Sequence, residues 1–192
     1  MAYVSRGFIP QTSLNYNTGL IKPFYIPAGN ATATALYDIV KVSTSGSTAE
    51  TAGVPAGLMG CVRVSDKNDV PCGVIVGFIA DPDYLNQTYR SASTARVAMV
   101  CYDPQVVLEA QEDDNGTTLA VARIGTPVDL VPGSVDTVTG TSGMQISSAT
   151  LAGSPGMFRL QQRSFAVDNA AIAGTNTKWL VTFNVHQFKA TA

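Results

Sequence analysis

Four groups of side chains in this 192-residue chain are of types that could do chemistry. His186, its single histidine, could move a proton, but one imidazole without partners at metal-ligand spacing cannot build a multi-histidine zinc site. Glu109, Glu112, Asp113 and Asp114 lie close together, and paired carboxylates are the working groups of glycosidases. On a strand, however, Glu109 and Gln111 share one face while Glu112 falls on the other. Asp113-Asp114-Asn115-Gly116 reads as a hairpin turn, because Asn-Gly readily takes up the positive-φ geometry of two-residue hairpins. An oxygen-rich loop of this kind is also a weak calcium candidate, although EF-hand spacing is absent.

The three cysteines, Cys61, Cys72 and Cys101, are odd in number, have no CxxC spacing and sit in apolar runs. They are expected to be buried free thiols acting as small hydrophobes; a Cys61–Cys72 bridge stays open, since sequence does not give the geometry. The fourth group is Tyr89-Arg90-Ser91-Ala92-Ser93-Thr94-Ala95-Arg96. Two guanidinium forks among small polar residues could grip a carboxylate or phosphate, and Arg beside Tyr is typical of interface hot spots. The chain has no Gly-x-Ser-x-Gly elbow, no phosphate-binding loop and no His-Glu-x-x-His. No catalytic residues, metal ligands or cofactor are therefore assigned, and the chain is not expected to be an enzyme.

The elements that must position these residues are strands. Leu36–Val42, Leu58–Val64, Gly73–Ala80, Ala95–Tyr102, Val106–Gln111, Leu119–Ile124, Met157–Gln162 and Trp179–Gln187 are short runs rich in Val, Ile and aromatics, separated by turn-forming residues. In the last of them Trp179, Val181, Phe183 and Val185 alternate with Leu180, Thr182, Asn184 and His186, the pattern of a strand with one buried face. Val128–Pro155 reads as loops with one short strand near Met144–Ser147. The expected fold is mainly β: a single β-barrel or β-sandwich-like domain over residues 28–192, with an extended N-terminal arm over residues 1–27. Pro10, Pro23 and Pro27 punctuate that arm and bias it toward extended geometry. Its many apolar residues make it an extended arm with anchoring side chains rather than a solvated tail, lying either on a partner, with Phe8, Ile9, Tyr16 and Phe24 as the candidate anchors, or on its own domain.

Composition narrows the partners. Charged residues make up 14% of the chain, against about 25% in an ordinary soluble domain. Surfaces destined to be covered are depleted in Lys, Glu and Asp. A formal net charge of −2 without basic clusters argues against nucleic acid as a partner. No apolar run approaches the length of a membrane-spanning helix. The N-terminus lacks the basic and apolar regions of a secretory signal, so folding in a reducing cytosol is expected.

Several phrases resemble the head decoration, or capsid cement, proteins of tailed bacteriophages. They are Phe24-Tyr25-Ile26-Pro27-Ala28-Gly29-Asn30, Val70 to Phe78, Tyr89 to Val97, Tyr102 to Asp113 and Lys178 to Gln187. The resemblance covers most of the chain and is weakest over Val128–Pro155. It implies a non-enzymatic virion protein on the outer capsid surface, a homotrimer whose partners are its own copies and the major capsid protein. It transfers no catalytic residues. Phe8, Ile9, Tyr16, Phe24, Tyr25, Tyr89, Arg90 and Arg96 are the candidate capsid or trimer contacts. The alternative is a tail or adsorption module that binds a host glycan or receptor.

Overall fold

The computed structural model describes residues 5–11, 20–47, 54–81, 85–115, 117–149, 155–166, 169 and 176–189. Among them the chain forms twelve strands. β1 is Ile9–Pro10, β2 Ile21–Ile26, β3 Ile39–Ser43, β4 Gly60–Arg63, β5 Gly73–Phe78 and β6 Arg96–Cys101. β7 is Leu108–Gln111, β8 Pro127–Val128, β9 Leu130–Val131, β10 Gln145–Ile146, β11 Phe158–Arg163 and β12 Lys178–Phe183.

Five strands close into a barrel in the order β2-β4-β3-β5-β6, and five more form a sheet in the order β1-β7-β12-β11-β8. β9 and β10 make a separate antiparallel pair. Barrel closure rests on β2, which runs antiparallel along β6 from Ile21 opposite Cys101 to Ile26 opposite Arg96. On its other side β2 meets β4 in parallel at Tyr25 and Gly60.

The two units share a wall. Neighbouring residues on a strand point to opposite faces, and β3 and β5 use both. Ile39 and Val74 enter the core beneath the five-stranded sheet, with Phe8, Leu108, Phe158, Trp179, Val181 and Phe183. Val40 and Ile75 enter the barrel core, with Phe24, Ile26, Cys61, Cys72, Ala98 and Val100. Strands buried on both faces carry continuous apolar runs rather than alternation, as Gly73-Val74-Ile75-Val76 does. A row of rings crosses the same seam. Phe8 stacks on Phe158 at 4.5 Å, and Phe158 lies 5.5 Å from Phe183. Phe183 is 4.9 Å from His186, which is 5.8 Å from Phe188, itself 5.8 Å from Tyr102.

The expected class, mainly β with a barrel, is the one observed. The described parts of residues 1–27 are extended, as expected, and of the two placements left open they take the second: they lie in the chain's own sheets rather than apart from residues 28–192. β1 pairs with β7, Ile9 opposite Glu109, and β2 is an integral barrel strand. Apolar proximity explains this, since burying Phe8, Phe24 and Ile26 within the chain removes them from water without any partner. Leu119–Ile124 also differs. Its centre, Val121–Arg123, is a 3-10 turn with no buried residue. Among the described residues no strand therefore returns from Asp113-Asp114-Asn115, so the hairpin expected there does not form.

Candidate functional site

The segment from Tyr89 to Arg96, singled out by its arginines, turns its cations inward. Arg90 is fully buried. Its guanidinium donates to four carbonyl oxygens: Thr94 at 2.6 Å, Thr32 at 2.6 Å, Pro27 at 2.9 Å and Asn30 at 2.8 Å. Its backbone also exchanges hydrogen bonds with Thr34. One planar fork thus fixes the β2–β3 connection against the loop before β6. Burial lowers its pKa to about 10, so it stays charged near neutrality. Arg96, also buried, donates to the carbonyls of Tyr89, Gln87 and Ile79 and lies over the Phe78 ring at 4.8 Å. Arg90 and Arg96 thus present no free fork to a ligand. As outward-facing contacts they are corrected: with so little nearby charge, the polar donors of the sequence are spent on satisfying loop carbonyls.

The remaining anchors divide. Phe8 and Phe24 are buried in the two cores, which corrects their expected role as surface anchors. Ile9 and Tyr25 are half-buried within strands. Tyr16 lies outside the described residues. Tyr89 is half-buried and reaches a surface groove.

The groups that could move protons are held by backbone. Glu112 is buried; one carboxylate oxygen accepts from Leu119 N–H at 2.8 Å and the other from Thr177 N–H at 3.3 Å. Burial raises its pKa, and those bonds oppose the rise. Asp113 accepts from the Ser148 amide and hydroxyl, both at 2.7 Å. Among the described residues no cluster of His, Cys, Asp and Glu has the arrangement of a metal site. Asp38, buried, pairs with Arg63 Nε at 2.9 Å. Burial raises the Asp38 pKa although Arg63 opposes it. His186 Nδ1 accepts from Phe188 N–H at 3.1 Å, and burial pushes the imidazole down to about 4. Cys61, Cys72 and Cys101 are free thiols. Burial pushes Cys72 up to about 12 and raises Cys61 and Cys101 as well, so thiolate chemistry is suppressed.

What remains at the surface is a groove of about 510 Å³, lined by residues 85–89 and by Thr137 and Val138. Sequence reading missed its second wall. The Asp136–Gly143 stretch reads only as a turn, and nothing in its composition says that it docks on residue 88. The signal is Gly140, whose φ is +71° and whose added Cβ would lie 2.0 Å from Thr88 Oγ1.

Comparison with known proteins assigns no family: no family model matches the chain, and no curated protein matches it.

Proposed function

We propose that this chain is a non-enzymatic structural protein of a tailed-bacteriophage virion, binding the outer capsid surface as a homotrimer and stabilising the shell against internal DNA pressure. The observation that carries the reading is the use made of ionisable side chains. Arg90, Arg96, Glu112 and Asp113 are buried and bonded to loop backbone or to a neighbouring hydroxyl. A fold that commits these buried charged groups to fastening loops suits a mechanical task better than a chemical one. The low charge supports the same reading, because covered interfaces are depleted in Lys, Glu and Asp.

Cementing follows from simple energetics. A protein bound across subunit boundaries must lose its contacts whenever those subunits separate. Three linked copies engage together, and avidity can exceed single-site affinity by roughly 10² to 10⁴. The strap formed by Phe8 and Phe24 drops out of this scheme, since both rings belong to their own cores. Exposed apolar side chains such as Ile21, Met59, Val70 and Phe165 take over as the candidate contacts.

The test is light scattering on the purified chain, then mixing with undecorated heads. The expected result is a trimer that sediments with heads and raises the temperature at which they release DNA. A monomer that leaves heads unchanged overturns the proposal.

A further inference from the structure

We infer that the groove between residues 85–89 and the Asp136–Thr141 turn is a binding site for a neutral oligosaccharide. This inference is independent of the capsid reading.

Its rigidity comes first. Arg96 holds the carbonyls of Gln87 and Tyr89 from beneath, and the Gln87 side chain donates to Ser91 Oγ at 2.5 Å. Across the groove, Asp136 and Thr141 pair as an antiparallel bridge. Asp136 accepts from Val138 N–H at 2.9 Å and from the Thr139 hydroxyl at 2.8 Å. Gly140 lets this turn seat directly on Thr88. Both walls are therefore set before any ligand arrives, which reduces the ordering cost of binding.

The lining chooses the ligand class. The lining residues carry an amide (Asn86), hydroxyls (Thr88 and Thr137), a phenol ring (Tyr89) and two apolar side chains (Leu85 and Val138). Leu85 is 75% exposed and Val138 91% exposed. Amides and hydroxyls complement sugar hydroxyls, while the aliphatic and aromatic surfaces suit the C–H faces of a pyranose. The volume lies within the roughly 300–1,000 Å³ of small-ligand sites. No lining residue is charged, and the nearest guanidinium donors are already spent on carbonyls. A phosphate, sulfate or sialic acid finds no cation there. An extended peptide pairs through main-chain groups, and on this wall the carbonyls of Gln87 and Tyr89 already accept from Arg96.

The experiment uses the full chain on a printed array of neutral and anionic oligosaccharides, followed by saturation-transfer NMR with the neutral sugars captured. Binding to neutral sugars is expected, falling by about tenfold, equivalent to 1.4 kcal/mol, in the Leu85→Ser/Val138→Ser double variant. Because both side chains are largely exposed, that variant should unfold at the parent temperature. Asn86→Ala should weaken the same sugars without affecting head binding. An array silent for neutral sugars overturns the inference. So does binding that survives the double variant, preference for anionic sugars, or capture of short uncharged peptides at the groove instead.

Discussion

In the barrel, the loops are tied down mainly by buried arginines whose donors end on carbonyl oxygens, with one buried carboxylate, Asp38, accepting from Ala35 N–H. In the five-stranded sheet, the same task falls to buried carboxylates whose oxygens end on N–H groups. Arg90 gathers four carbonyls from two connections; Glu112 gathers the amides of Leu119 and Thr177. The cores differ to match. The barrel interior is built from aliphatic residues, cysteines and Phe24, whereas the sheet buries Phe8, Phe158, Trp179 and Phe183. A small core gains less from burial, so its loops depend more on a rigid fork. One consequence is a difference in pH response: a guanidinium keeps its charge across the ordinary range, and a carboxylate does not.

The sharpest way to break the comparison is Arg90→Ala. It removes four charge-assisted hydrogen bonds, each worth about 1.5–3 kcal/mol, although the Pro27 and Asn30 oxygens keep the amide donors of Asn30 and Ser93. A loss of about 4 kcal/mol or more is expected in urea denaturation. Arg90→Lys should recover only part of it, because a compact ammonium with three donors cannot reproduce the planar fork. Hydrogen exchange should quicken at the amides of Thr34 and Arg90 before those of Glu112 and Lys178. Equal acceleration in both places would mean that the shared wall makes the two regions one cooperative unit.

Phe8→Ala makes the complementary cut in the sheet. Removing a buried aromatic costs about 3–5 kcal/mol, and the stacked partner Phe158 would lose its contact. Exchange should rise first around β1 and β7. If the barrel amides respond equally, Ile39 and Val74 on the common wall transmit the cavity.

These two residues also measure how far sequence reading reached. Short Val- and Ile-rich runs reported β3 to β7 and β11 because strand patterning is local. The alternation of Trp179, Val181 and Phe183 gave the buried face of β12 correctly. Phe8 and Arg90 were visible as unusual residues but assigned outward, because burial depends on which distant segments meet. Nothing near Arg90 announces that Pro27, Asn30 and Thr32 aim their carbonyls at it. The short strands β8 and β9 escaped notice for a similar reason: two residues carry no period. Tight docking of the Gly140 turn on Thr88 is likewise a long-range fact written in a single glycine.

A smaller effect concerns the seam. His186 sits among Phe183 and Phe188, where burial dominates and lowers its pKa, while a hydrogen bond to the Cys72 backbone and the charge of Asp103 favour the charged form and Lys189 opposes it. Its folded pKa of about 4 lies below the unfolded value of about 6.5. The unfolded chain therefore binds the extra proton first as pH falls. The stability His186 contributes is present above about 6.5 and is lost progressively down to about 4, on the order of 2–3 kcal/mol. His186→Gln, which keeps an acceptor for Phe188 N–H without titrating, should flatten that acid limb in thermal denaturation across the window.

Glu112 runs the other way, with the smallest expected slope. Burial raises its folded pKa while the Leu119 and Thr177 amides pull it back, so the opposing causes leave only a partial shift. A raised carboxylate pKa means that the folded state holds its proton more tightly than the unfolded chain. The associated stability is thus present at low pH and lost as pH rises through the folded pKa. Glu112→Gln offers one acceptor where two amides need partners, so it should carry a pH-independent loss of about 1–3 kcal/mol. The informative quantity is the difference between parent and variant followed with pH. If Glu112 is held as expected, the parent's advantage shrinks as pH rises. A growing advantage would mean that the amides outweigh burial and the sheet is fastened by a carboxylate anion. A flat difference would leave the Glu112 fastening as insensitive to pH as the Arg90 fork, and the contrast between the two would reduce to their cores.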